Sequence, residues 1–185
     1  MLNRSLVFFG IKHCGKSTLG RVLAEHFGVE FIDTDLELER RYRELYDCQK
    51  STREIFRTFG EDKFRQFEAE TVNLLARQQT EPRVIALGGG VPVNPFIEPM
   101  VLKELGFGVY LAINPAIAYE RVKRGGLPPF LASFPDPYSE FLRINQQREA
   151  VYRNYADLTF PIEQEESILL VAEKLIKVLL VELKL

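Results

Sequence analysis

An α/β three-layer domain built on a central five-stranded parallel sheet is the fold this sequence predicts. Two observations predict it. Short apolar runs of strand length alternate with helical stretches along all 185 residues. The runs are also continuously apolar, as in strands buried on both faces of a parallel sheet.

The strands are expected at 5–9 (SLVFF), 29–33 (VEFID), 83–88 (RVIALG), 108–113 (GVYLAI) and 157–162 (DLTFPI). Helices are expected at 16–27, 34–46, 51–79 (as two helices), 95–105, 115–124, 138–155 and 164–184. The least regular stretch is 124–138, RGGLPPFLASFPDPY, whose two glycines and four prolines argue against helix and inner strand alike. A long irregular loop in a compact domain reads as a mobile lid. The length fits a single domain, 1–185, with a helical segment over about 34–70 between the second and third strands.

Composition narrows the function. Net charge is -2 and no Lys/Arg-rich run stands out, which argues against nucleic acid as the main partner. Cys14 and Cys48 make no disulfide framework, so both read as reduced thiols of a cytoplasmic protein. The N-terminal apolar run is too short for a signal peptide. Glu173, Lys174, Lys177 and Glu182 interrupt the apolar tail, which reads as a final helix on the core rather than a membrane span. Packing on the core also makes a monomer the expected state.

The most specific stretch is Gly10-Ile-Lys-His-Cys-Gly15-Lys16-Ser17, which matches G-x-x-x-x-G-K-[ST] at every fixed position, with a strand before it and a helix after it. Glycines let successive backbone N–H groups turn toward phosphate oxygens. Lys16 supplies a point charge for the β/γ-phosphates, Ser17 a hydroxyl for Mg²⁺, and the helix its positive end. Gly10, Lys12, His13, Cys14, Gly15, Lys16, Ser17 and Thr18 are thus the expected contacts of a nucleoside triphosphate. The side chains of Lys12 and His13 are expected to face solvent.

The acceptor is read from elsewhere. Asp33 and Asp35 end the second strand, on the side of the sheet where ligands bind. One carboxylate suits Mg²⁺ and the other can take the proton of an attacking hydroxyl; a helix N-cap accounts for one of them. Arg65 and Glu68 lie three apart on one helix face, as a surface ion pair or as an arginine aimed at a carboxylate and steadied by its neighbour. Gly88, Gly89 and Gly90 leave room for a small ligand against the backbone.

Together the phosphate loop, FIDTD, F-R-x-x-E (Phe64 to Glu68), GGG and R-x-x-x-Y (Arg148 to Tyr152) resemble the shikimate kinases in order and spacing over nearly the whole chain. The resemblance implies a three-layer P-loop kinase fold and transfer of the ATP γ-phosphoryl group to the 3-hydroxyl of shikimate, in aromatic amino acid and chorismate biosynthesis. It implies that Asp35 binds the ring hydroxyls and helps deprotonate the nucleophile, while Asp33 serves Mg²⁺ with Ser17. Arg65 and Arg148 would clamp the shikimate carboxylate, Glu68 would orient Arg65, Gly88 to Gly90 would line the ring, and Arg121 would stack on adenine.

Three departures stand beside the resemblance. His13 occupies a loop position where the family commonly has glycine, and 42–51 is longer than usual. The lid's Arg-Pro-Leu-Leu motif aligns with Pro128-Pro129-Phe130-Leu131, so an arginine near the transferring phosphate is replaced by Pro128. Arg124, at the lid hinge, is expected to substitute in part, with Lys12 and Lys123 as other candidates, and Phe130 to act as an apolar cover or as simple lid packing. The alternatives are a related P-loop kinase with another hydroxy-acid acceptor, such as a gluconate-type kinase, and a catalytically weakened protein that binds ATP or shikimate.

Overall fold

The computed structural model describes residues 2–78, 80–127 and 129–185, the side chains of Pro129 and Phe130 excepted. The expectations placed on Pro128 and on the Phe130 side chain lie outside these.

Strand β1 (Leu6–Phe9) is the centre of the sheet, and every one of its side chains is buried because helices cover both faces. Around it lie β2 (Glu30–Asp33), β3 (Arg83–Ala86), β4 (Phe107–Ile113) and β5 (Leu158–Ile162), in the order β2-β3-β1-β4-β5. All four pairings are parallel, with Leu6 opposite both Val84 and Phe107. The carboxyl ends of β1, β3 and β2 therefore open side by side. The phosphate loop, the glycine triplet and Asp33 follow these strand ends, which brings three sequence-distant segments to one edge.

Helix α1 (Lys16–Phe27) buries Leu19, Leu23 and Ala24, and ends on Gly28 in the left-handed conformation (φ 65°). Each large aliphatic side chain buried this way contributes roughly 1.5–3 kcal/mol. Helices α2 (Thr34–Tyr46), α3 (Thr52–Phe59) and α4 (Glu61–Arg77) fold over a small core of their own: Leu38, Tyr42, Ile55, Phe64 and Phe67, with Phe59 against it. Gly60, at φ 76°, separates α3 from α4. Ser51 and Glu54 close a capping box at the start of α3. The long 42–51 stretch continues α2 to Tyr46, which stacks on Tyr42 with centroids 4.6 Å apart, and turns at Asp47 (φ 47°).

After β3 come a 3-10 turn (Val91–Val93), α5 (Pro99–Glu104), α6 (Pro115–Arg124), α7 (Pro129–Ala132), α8 (Pro137–Tyr155) and α9 (Ile168–Glu182). The sequence expectations are corrected in three places. The helix expected over 95–105 begins only at Pro99, because proline belongs in a helix's first turn. The segment 124–138 holds one helical turn, α7, where none was expected; Pro129 again takes the first position. The last helix starts at Ile168 rather than near 164, because Ser167 caps it by accepting from the Leu170 N–H. No helix among the described residues is long and apolar enough to cross a membrane.

Candidate active site

The phosphate loop joins β1 to α1. Gly10 (φ 146°) and Gly15 (φ 105°) take conformations that suit glycine, and a Cβ at Gly10 would meet the Leu111 carbonyl oxygen at 2.9 Å. His13 adopts φ 65° without being glycine, so the loop keeps its curl at some local strain. No side chain among the described residues caps α1, which leaves its first N–H groups to a ligand. Lys16 folds back on the loop, donating to the Gly10 and Ile11 carbonyls at 3.0 Å each. Cys14 is buried beneath the loop, whereas Lys12, His13 and Thr18 are exposed. Packing against the loop, then the charges of Lys12, Lys16 and Arg121, push the His13 pKa below its ordinary value, which favours neutral imidazole.

Asp33 serves two neighbours. Its Oδ2 accepts from the Ser17 hydroxyl at 2.5 Å, and its Oδ1 accepts from the Asp35 N–H at 3.0 Å to cap α2. The cap and the hydroxyl contact use different oxygens, so neither reading displaces the other. Asp35 has surface open to the cavity but sits among its walls. That enclosure first, and then the charges of Asp33 and Glu68, raise its pKa to about 6 against the pull of Lys16 and Lys12.

These groups line one cavity of about 820 Å³. It runs from Lys16, Ser17 and Thr18 past Asp33 and Asp35 to Arg65, Glu68, Gly88–Gly90 and Arg148, with Lys12, His13, Arg121 and Arg124 also on its wall. Arg65 donates to Glu68 Oε2 at 2.9 Å, and Glu68 is buried, so this is not a loose surface pair. The triplet has little space to spare. A Cβ at Gly88 would lie 2.6 Å from Asp35 Oδ1, and one at Gly90 would collide with the Arg65 guanidinium. Arg148 Nη1 lies 3.5 Å from the Gly89 carbonyl oxygen.

Beside the phosphate loop Arg121 pairs with Glu165 at 2.9 Å and donates to the His13 carbonyl at 3.2 Å. Arg124 lies 3.8 Å from the same Glu165, with most of its side chain in solvent.

Several site residues escaped the sequence reading. Asn94 donates to Glu68 Oε2 and to the Arg65 carbonyl, both at 2.8 Å. Tyr152, fully buried, donates to the Gly89 carbonyl at 2.7 Å. Thr34 accepts from the Gly88 N–H at 2.8 Å. Thr52, Arg53, Phe56 and Phe64 complete the cavity wall. Tyr152 and Phe64 stood in recognised motifs without a role; Asn94 carried no local signal.

A phosphate loop on the central strand, a carboxylate pair at the neighbouring strand end and an arginine-lined cavity define a P-loop small-molecule kinase. The shikimate kinase family model matches residues 12–180. The shikimate kinase of Hahella chejuensis is 36% identical over 84% of this chain and 76% of its own. That of Histophilus somni is 32% identical over 94% of this chain and 93% of its own. The chain belongs to the shikimate kinase family. Among solved structures, shikimate kinase from Acinetobacter baumannii in complex with shikimate superposes with a TM-score of 0.80 at 29% identity, over 96% of this chain and 93% of that one. A gluconokinase from Sinorhizobium meliloti shares the fold alone, at 16% identity and a TM-score of 0.54 over 98% of this chain and 91% of that one.

Proposed function

We propose that this chain is a shikimate kinase that moves the γ-phosphoryl group of ATP to the 3-hydroxyl of shikimate. The observation that carries the reading is the single cavity joining the phosphate loop, Asp35, Arg65 and Arg148. A small polyhydroxy acid needs guanidinium forks for its carboxylate and an acceptor for its hydroxyl proton. Arg65 and Arg148 supply the forks, each charge-assisted hydrogen bond contributing about 1.5–3 kcal/mol. Glu68 and Asn94 hold Arg65 to its angle.

Asp35 takes the hydroxyl proton. The hydroxyl oxygen forms the new bond to phosphorus as the bond to the ADP oxygen breaks. With its pKa near 6, Asp35 is largely ionised at neutral pH and close enough to it to accept a proton. The free N–H groups of α1 and Lys16 hold the phosphates. Lys16 exchanges its loop carbonyls for phosphate oxygens. Arg121 would lie against the adenine after leaving Glu165.

The Ser17 hydroxyl and the Asp33 carboxylate, 2.5 Å apart, are hard oxygen donors that would hold Mg²⁺ beside the phosphates. When bound there it would neutralise charge on the β- and γ-phosphates. A single domain in which 34–70 carries the acceptor and 124–138 closes over the site, acting as a cytoplasmic monomer, completes the reading.

The test is ADP release with Mg·ATP, with and without shikimate, for the wild-type chain and for Arg65→Ala and Asp35→Ala. Shikimate-dependent turnover lost in both variants is the expected result. A wild-type chain that binds ATP yet turns over no shikimate would overturn the reading.

A further inference from the structure

Arginines line the cavity from several sides, and most are already engaged. Arg65 is held by Glu68 at 2.9 Å and Arg121 by Glu165 at 2.9 Å. Arg124 stands 3.8 Å from that same Glu165, and Arg148 leans on the Gly89 carbonyl at 3.5 Å. Arg53 differs. It lines the cavity from the first turn of α3, is exposed, and has no carboxylate within ion-pair distance among the described residues. An uncommitted guanidinium on a site wall has no structural task to lose when a ligand arrives.

Its place is fixed by its neighbour. Thr52 donates its N–H and its hydroxyl to Glu39 Oε1 at 2.6 and 2.9 Å, and its hydroxyl oxygen lies 3.3 Å from the Asp35 carbonyl oxygen. The start of α3 is thereby pinned to the start of α2, next to the carboxylate that receives the hydroxyl proton. Thr52, Arg53 and Phe56 all reach the cavity from this one helix. The acceptor carboxylate already has two guanidiniums in Arg65 and Arg148, so a third would add little there. The unmet charge is elsewhere. During transfer, negative charge spreads over the three equatorial oxygens of the phosphoryl group, between Lys16 and Asp35. A planar fork with free donors suits those oxygens better than an ammonium does.

We propose that Arg53 is a further catalytic residue, whose guanidinium contacts the phosphoryl group in flight from the α3 side of the cavity. The inference rests on the kinase reading above. It assigns to α3 a part in the transfer itself and not only in enclosing the acceptor.

The experiment compares wild type with Arg53→Ala, Arg53→Lys, Arg124→Ala and Arg57→Ala, the last a surface control on the same helix that lies off the cavity wall. Steady-state kcat and KM are measured for both substrates, and shikimate binding without nucleotide is measured by calorimetry. Arg53→Ala is expected to lower kcat about 100-fold, while KM for shikimate and its nucleotide-free affinity stay within about threefold. Arg53→Lys is expected to recover part of kcat, and Arg57→Ala to match wild type. Wild-type turnover with Arg53→Ala within twofold would overturn the inference alone, most directly if Arg124→Ala carried the loss instead. A fall in nucleotide-free shikimate affinity large enough to account for the whole defect would also overturn it, by making Arg53 a ground-state binder. A wild-type chain without shikimate turnover would remove the kinase reading and this inference with it.

Discussion

Asn94 and Glu68 meet through one hydrogen bond of 2.8 Å, the side-chain amide of Asn94 donating to Glu68 Oε2. The same oxygen accepts from Arg65 at 2.9 Å, and the Asn94 amide also reaches the Arg65 carbonyl. Arg65 is therefore fixed at its backbone by the buried Asn94 amide and at its guanidinium by the carboxylate which that amide steadies. Asn94→Ala should leave Glu68 short of a donor and let Arg65 drift. Shikimate KM should rise about tenfold, equivalent to roughly 1.4 kcal/mol, with a smaller effect on the KM for ATP. Asn94→Asp, which sets a second carboxylate against Glu68, should cost more. Equal KM values for wild type and Asn94→Ala would show that Arg65 needs no such support.

Asp35 gives a pH prediction. As a base with a pKa of about 6, it should make kcat/KM fall as pH drops below that value. Stability should run the other way. The folded chain holds this proton more tightly than the unfolded chain, whose value is near 3.8, so the site's unfavourable contribution grows as pH rises from about 4 to about 6. Asp35→Asn should then raise Tm by a few degrees above pH 6, since about 1 kcal/mol remains after solvent screening at this open cavity wall. The gain should shrink toward pH 4, and turnover should be lost. A Tm gain that does not depend on pH would locate the effect in packing instead.

The glycine triplet should tolerate no side chain at its ends. Gly90→Ala would push Arg65 from its position, and Gly88→Ala would press on the Asp35 carboxylate. The first should chiefly raise shikimate KM and the second chiefly lower kcat. Steady-state kinetics with shikimate varied separates them, and equal effects on both constants in both variants would contradict the geometry.

His13 sits at φ 65°, a conformation that costs an ordinary side chain about 1–2 kcal/mol. His13→Gly should relieve it and raise Tm slightly, partly offset by the added freedom of the unfolded chain. A lower Tm by scanning calorimetry would mean that the imidazole makes a contact worth more than the strain.

The phosphate loop was legible because its chemistry is local: glycines, lysine and serine stand at fixed offsets between a strand and a helix. That Asp33, Asp35, Arg65 and Arg148 share one cavity was legible because Asp33 and Asp35 stand at a strand end and the arginines in recognisable patterns. Asn94 was not, since its value lies in Glu68, 26 residues away, and only the folded turn after β3 brings the two together. Tyr152 reaches Gly89 across 63 residues for the same reason. The turn at Pro129 departs from the expectation because proline breaks a helix only in its interior, whereas in the first turn it starts one. Family resemblance supplied the substrate, which no spacing of charges names. The pairing of Arg121 with Glu165 could not be foreseen, since it depends on where the loop after β5 falls.

The separate core beneath α2, α3 and α4 has a consequence for how the molecule can change over generations. Leu38, Tyr42, Ile55, Phe64 and Phe67 pack with one another and not into the sheet's core. Replacements among them can reshape the wall that meets the acceptor while the strands that carry the phosphate loop keep their packing. The share of the cavity wall that α2–α4 supply can thus be revised without reopening the share carried by the strand ends, Gly88–Gly90 included.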